Sequence, residues 1–127
     1  MMVHQMDVKS AYLSAPIDCE MYVQQPKGYE VSDRDNNLLV WKLKKSLYGL
    51  KQSGRNWNSM LDEYFVEQGF KQSLTDTCVY TKHVDQSMCV VLVWVDDILV
   101  AANTDLMLRA GQKVPIRHIT LYIVYYS

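Results

Sequence analysis

Two adjacent carboxylates, Asp96 and Asp97, interrupt the most apolar part of the sequence, with Met88 to Val95 before them and Ile98 to Ala102 after. A two-residue separation between apolar runs is the commonest hairpin signal, which places the pair at a hairpin tip. Asp is an ordinary turn residue, and a solvated tip tolerates two charges. The flanks open a second reading. Because both runs are apolar on consecutive residues, the hairpin is expected to be buried on both faces with its tip in a cleft, where neighbouring carboxylates repel unless a cation neutralises them. Magnesium prefers oxygen ligands, and two such ions can clamp the attacking and leaving oxygens of phosphoryl transfer. Asp7 is the candidate third carboxylate, although an Asp at the end of a strand also serves as a cap or turn residue. Spacing alone does not join Asp7 to Asp96.

A second chemistry-bearing stretch runs from Asn36 to Leu61, which holds Lys42, Lys44, Lys45, Lys51 and Arg55 and no acidic residue. Such a run is usually a solvated face, but phosphate backbones attract it without reading sequence. His4, His83 and His118 have no ligand spacing and read as ordinary surface or core histidines. No serine or cysteine has a base at a suggestive distance in sequence, so nucleophilic catalysis finds no support.

These groups need elements to position them. The first eight residues read as a strand delivering Asp7 near its end, and Glu20 to Gln24 as a second, half-buried one, with a short turn or helix and Pro16 between. Turn formers gather at Pro26-Lys27-Gly28 and from Ser32 to Asn37, followed by a strand over Leu38 to Leu43. Trp57, Met60, Leu61, Tyr64 and Phe65 fall on one helical stripe that suits packing on a sheet, with Ser53 able to cap its start and Gly69 its end. Cys78 to Lys82 reads as a further strand. The tail from Leu106 is harder to place; Gln112 to Ser127 has the β-branched and aromatic content of one strand or of a sticky exposed end.

Composition bounds the rest. With 49% hydrophobic and 21% charged residues the chain can bury a core, and 127 residues fit one domain. A net charge of -1 excludes histone-like wholesale binding to nucleic acid. Three cysteines without a C-x-x-C pair encode neither a disulfide scaffold nor a zinc knuckle, which suits a reducing compartment. The apolar runs fall far short of the roughly 20 residues that span a bilayer, and no signal peptide is evident. A soluble intracellular chain, cytoplasmic or nuclear, with no membrane partner is expected.

Four segments then resemble one family, in order: Gln5 to Leu13 (QMDVKSAYL), Tyr22 to Glu30 (YVQQPKGYE), Lys42 to Arg55 (KLKKSLYGLKQSGR) and Trp94 to Leu99 (WVDDIL). They look like the reverse transcriptase, an RNA-directed DNA polymerase, of copia-type LTR retrotransposons, over about Gln5 to Asn103. The resemblance implies an α+β fold, a partial right-hand polymerase palm whose antiparallel sheet carries the catalytic hairpin and packs on helices. Residues 1–104 would form this partial palm and fingers region, and 105–127 a divergent tail that is not a separate domain.

The same resemblance makes Asp7, Asp96 and Asp97 the catalytic carboxylates. Asp7 and Asp96 would be the main ligands of magnesium, or of manganese, with the Val8 carbonyl an extra ligand and Asp97 supporting. Tyr12 matches an aromatic that sits under the nucleotide sugar and disfavours a 2'-hydroxyl, and Gln52 a glutamine that lines the nucleotide pocket. Lys42, Lys44, Lys45, Lys51 and Arg55 become the nucleic-acid-binding set. The implied partners are an RNA or DNA template-primer, deoxynucleotides, and the fingers, thumb and RNase H regions that the sequence lacks. Trp94 stands where the family usually has Tyr, and nothing after Asn103 resembles the later motifs. Two further function classes stay open: a truncated, non-catalytic remnant that is inert or binds nucleic acid weakly, and a small metal-dependent phosphohydrolase.

Overall fold

The computed structural model describes residues 1–114 and the backbone of 119–122. Its elements in chain order are β1 (Met2–Val8), α1 (Ala11–Ser14), β2 (Tyr22–Gln24), β3 (Val40–Lys42), α2 (Ser53–Glu67), β4 (Lys71–Gln72), β5 (Val79–Val84), β6 (Ser87–Trp94), β7 (Asp97–Ala102), α3 (Asp105–Gln112) and β8 (Ile119–Tyr122). Six strands form one sheet in the order β4-β5-β6-β7-β1-β8, antiparallel throughout, and β2 and β3 form a separate ribbon. The fold is α+β, as the sequence leads one to expect. The strand or sticky end expected over Gln112 to Ser127 falls largely on residues 115–118 and 123–127, which lie outside the described residues, as does His118.

Alternation decides which face of the sheet is covered. Met6 and Val8 on β1, Cys89, Val91 and Val93 on β6, and Ile98, Val100 and Ala102 on β7 are all buried. Helices α2 and α3 cover that face, bringing Trp57, Leu61, Phe65, Met107 and Leu108 into the same core. The predicted α2 stripe is the buried one, with Met60 and Tyr64 packed at its margin. At the other end of the sheet α3 approaches so closely that a β-carbon on Gly111 would stand 2.5 Å from Val100 Cγ1 and 2.8 Å from Cys89 Sγ. Burial pushes the Cys89 thiol up to about 11, so it stays protonated in this contact.

The opposite face corrects one expectation. Leu92, Leu99 and Trp94 are 37%, 40% and 69% exposed, so the hairpin is buried on one face rather than two. A consecutive apolar run does not distinguish a two-sided strand from a one-sided strand whose outer residues also happen to be apolar.

The helix ends follow backbone needs. Gly69, with φ +81°, takes the left-handed position after α2, as expected of a C-terminal glycine. Ser53 is not the N-cap: Gln52 holds that place without a side-chain cap, while buried Ser53 donates its hydroxyl to the Leu47 carbonyl. The serine therefore fastens the incoming loop instead of the helix's free amides. In α3 the Thr104 side chain accepts from Met107 N–H, an ordinary N-cap. No helix among the described residues is long and apolar enough to cross a membrane.

Candidate functional site

Strands β6 and β7 are joined at Trp94↔Asp97, so the two loop residues are Val95 and Asp96, not Asp96 and Asp97. Asp97 belongs to β7, where it is the direct cross-strand partner of Asp7 on β1. Both lie on the face opposite the covered core, since their neighbours Met6, Val8 and Ile98 are buried. Gln5, two residues before Asp7 on the same face of β1, donates its amide to Asp97 Oδ1 at 3.2 Å. Asp96 joins them through the backbone: Val8 N–H donates to the Asp96 carbonyl at 2.9 Å. The ladder and this bond thus bring Asp7, Val8, Asp96 and Asp97 into one neighbourhood.

Val95 enters the loop at φ +55°. A positive φ at the first loop position suits the primed turns that match strand twist, but a β-branched side chain is strained there by about 1–3 kcal/mol. The Trp57 indole N–H, from α2, donates to the Val95 carbonyl at 2.5 Å. Both loop carbonyls are therefore held, one by α2 and one by β1.

The donors at this site are carboxylate oxygens, the kind a hard divalent cation takes. The ion pairs among the described residues are Glu20–Lys42 and Asp18–Arg55, so no basic side chain neutralises Asp7, Asp96 or Asp97 there. Among the described residues no three His, Cys, Asp or Glu side chains are gathered closely enough to close around an ion. The donors thus match a hard cation in their chemistry alone, without a gathered three-ligand geometry among the described residues.

The other candidates divide into groups. Tyr12, on α1, stacks on Tyr48 with ring centroids 4.7 Å apart, and its hydroxyl lies 3.5 Å from where a β-carbon on Gly54 would stand. With Trp57, Cys78, Trp94 and Val95 it lines a cavity of about 210 Å³ beside the hairpin tip. Gln52 lies in a different cavity, of about 360 Å³, with Asp18, Cys19, Lys51 and Arg55, and its amide donates to Cys19 Sγ.

The five cations differ in their partners. Arg55 pairs with Asp18 at 2.7 Å, and Lys42, on the β2–β3 ribbon, pairs with Glu20 at 2.8 Å while lying over the Tyr22 ring. Arg55, then Asn56, hold the Asp18 carboxyl below its ordinary range; Lys42, then Tyr22, do the same for Glu20. Lys45 donates to the Ser14 carbonyl, Lys44 is exposed, and Lys51 opens on the Gln52 cavity. Sequence reasoning missed Asp18 and Glu20, because ion pairs across a loop leave no local pattern. It also missed Gln5, which the period of two on β1 places beside Asp7.

Comparison with known proteins names the lineage. Residues 1–119 match the family model described as reverse transcriptase (RNA-dependent DNA polymerase), a span that continues past Asn103 through α3. Over 102 residues, 80% of the chain, it is 39% identical to the retrovirus-related Pol polyprotein from transposon TNT 1-94 of Nicotiana tabacum. It is 39% identical over 107 residues, 84% of the chain, to that from transposon RE1 of Arabidopsis thaliana. Against the transposon Ty1-DR4 Gag-Pol polyprotein of Saccharomyces cerevisiae it is 33% identical over 123 residues, 95% of the chain. The chain spans only 8%, 7% and 7% of these three relatives. No solved structure matches it. With most of its length accounted for in this way, the chain belongs to the reverse transcriptase (RNA-dependent DNA polymerase) family of copia-type retrotransposon Pol polyproteins.

Proposed function

We propose that this chain is part of the palm of a retrotransposon reverse transcriptase, and that Asp7, Asp96 and Asp97 are the carboxylates at which a deoxynucleotide is joined to a primer 3'-hydroxyl. The observation that carries this reading is the register of Asp7 with Asp97, together with the Val8 N–H bond to the Asp96 carbonyl. Reverse transcriptases as a family use divalent metal ions. Asp7 and Asp96 would hold magnesium or manganese, with Asp97 beside them and the Val8 carbonyl as an extra donor. The ions would lower the pKa of the primer hydroxyl and neutralise the leaving pyrophosphate.

The chain's own residues supply position. Trp94, Tyr12 and Val95 wall the cavity beside the hairpin tip, where Tyr12 would exclude a sugar bearing a 2'-hydroxyl. Lys51, Gln52 and Arg55 surround the neighbouring cavity, which suits phosphate and nucleotide contact. Template-primer, deoxynucleotides and the remaining regions of a Pol polyprotein are the partners this reading requires.

A remnant without turnover is the second reading, favoured by the ion-paired Arg55 and Lys42 and by the absence, among the described residues, of a gathered three-ligand cluster. Primer extension on an RNA template with magnesium or manganese separates the two. This chain, its Asp96→Asn variant and a version lengthened with the fingers and thumb of a relative are compared. No measurable extension is expected from the chain alone, because positioning supplies much of the rate in phosphoryl transfer. The lengthened version should extend, and Asp96→Asn should abolish that. An inactive lengthened version, folded and bound to template, would overturn the catalytic reading in favour of the remnant.

A further inference from the structure

The α2 stripe needs apolar area at position 57, and phenyl rings supply it at Phe65 and Phe70 in the same core. Trp57 brings something packing does not require, an indole N–H, and a buried indole donor needs an acceptor. Its acceptor is the Val95 carbonyl, 38 residues away in the chain. That carbonyl belongs to the one residue of the hairpin tip held in the left-handed region, at φ +55° with a β-branched side chain. The next carbonyl, of Asp96, accepts from Val8 N–H on β1. The turn is thus gripped between a helix and a strand that touch different peptide groups.

We propose that Trp57 is a positioning residue for Asp96: its indole N–H holds the Val95–Asp96 turn in its strained form and so fixes the Asp96 backbone against β1. The role matters for catalysis only on the reading of Asp96 given above, but the hold itself is a property of this chain. Without the donor, the Val95 peptide is free to leave the left-handed region, and the Val8–Asp96 bond loosens with it. Glycine at position 95 would take the same φ without strain and would make the hold unnecessary.

Hydrogen exchange on the isotopically labelled chain, followed by nuclear magnetic resonance, tests this. In the unaltered chain the Trp57 indole N–H should exchange far more slowly than that of exposed Trp94. Trp57→Phe should speed exchange of the Val8 amide roughly tenfold, the order expected for loss of one hydrogen bond, while the Val91 amide in the middle of β6 keeps its rate. Val95→Gly added to Trp57→Phe should restore the Val8 rate. An indole as unprotected as that of Trp94 would overturn the proposal, and this measurement decides even if Trp57→Phe does not fold. So would equal acceleration at Val8 and Val91, which marks a merely structural tryptophan, an unmoved Val8 amide, or failure of the glycine to rescue.

A manganese titration of the unaltered chain, read as broadening at Asp7 and Asp96, tests the proposed function separately. No broadening with the exchange pattern intact removes the metal site and leaves the Trp57 hold standing. Broadening with a Val8 amide indifferent to Trp57→Phe does the reverse.

Discussion

Asp7 and Asp97 are direct partners across the β1–β7 ladder, and Gln5 reaches Asp97 Oδ1 from the same face of β1. Two carboxylates opposite each other in an antiparallel pair repel, and the Gln5 amide relieves only part of this. Such a pair lowers stability in the absence of a cation, a pattern expected where function rather than folding chose the residues.

Asp97→Asn should therefore stabilise the metal-free chain by about 0.5 kcal/mol, within the range for cross-strand charge pairs. The urea midpoint at unchanged slope measures it. Added manganese should raise the midpoint of the unaltered chain more than that of the variant, because only ligands of the folded state contribute linkage. A metal-free variant less stable than its parent would show that the pair does not repel in the folded chain.

Binding to primed template should fall steeply with salt, and the cations should contribute unequally. Lys51→Ala should reduce the slope of log affinity against log salt by about 0.9, one phosphate contact. Lys42→Ala should leave the slope nearly unchanged, since that ammonium sits on Glu20 and over Tyr22. Fluorescence anisotropy at several salt concentrations gives both slopes. Equal effects from the two lysines would contradict this division.

Gly111→Ala should destabilise the chain by about 1–3 kcal/mol, the usual cost of overpacking, despite alanine's better helix propensity. The new methyl would press on Val100 and Cys89, neither of which is a flexible chain end. Denaturant unfolding measures the loss. Ala110→Gly, on the same helix, is the control for propensity alone.

Alkaline pH supplies a fourth test. Burial, with Asp62 adding to it, pushes the Tyr80 phenol up to about 12. Its hydroxyl donates to Asp62 Oδ1 and accepts from the Gln72 amide. A phenol whose folded pKa lies above its unfolded value of about 10 contributes stability that is whole below pH 10. That contribution is lost as pH rises toward 12. Tyr80→Phe should flatten the fall in urea midpoint between pH 9 and 11, roughly the accessible part of that window. An equal fall in both proteins would assign the alkaline loss to other groups.

The α2 stripe was legible from its helical period, and the hairpin from two apolar runs set two residues apart, both of them local signals. The loop residues were misplaced by one position for a physical reason: turn chemistry favours Asp over a β-branched residue, so Asp-Asp looks like the loop. The structure instead puts Val95 there and holds it with Trp57, a contact between distant segments that no local rule contains. The same limit hid the Asp18–Arg55 and Glu20–Lys42 pairs, which turn an unbroken basic run into cations of different availability. Family motifs singled out the three carboxylates; the register of Asp7 with Asp97 came only from three dimensions.

Among the described strands β1 comes earliest in the chain, yet it lies between β7 and β8, which come latest. Gln5 and Asp97, joined in the folded chain, are 92 positions apart. On a ribosome adding about 5–20 residues per second, the Asp7 strand must wait through nearly the whole translation of this region. Meanwhile β5, β6 and β7 can zip locally as successive hairpins, because their loops are short and their closure entropy is small. Docking of β1 on β7 is then expected to be the late, long-range step, testable by when Val8 gains exchange protection during refolding. A nascent chain halted before β7 carries Asp7 without the β7 ladder that receives it, so Asp7 joins Asp96 and Asp97 only once β1, β6 and β7 all exist.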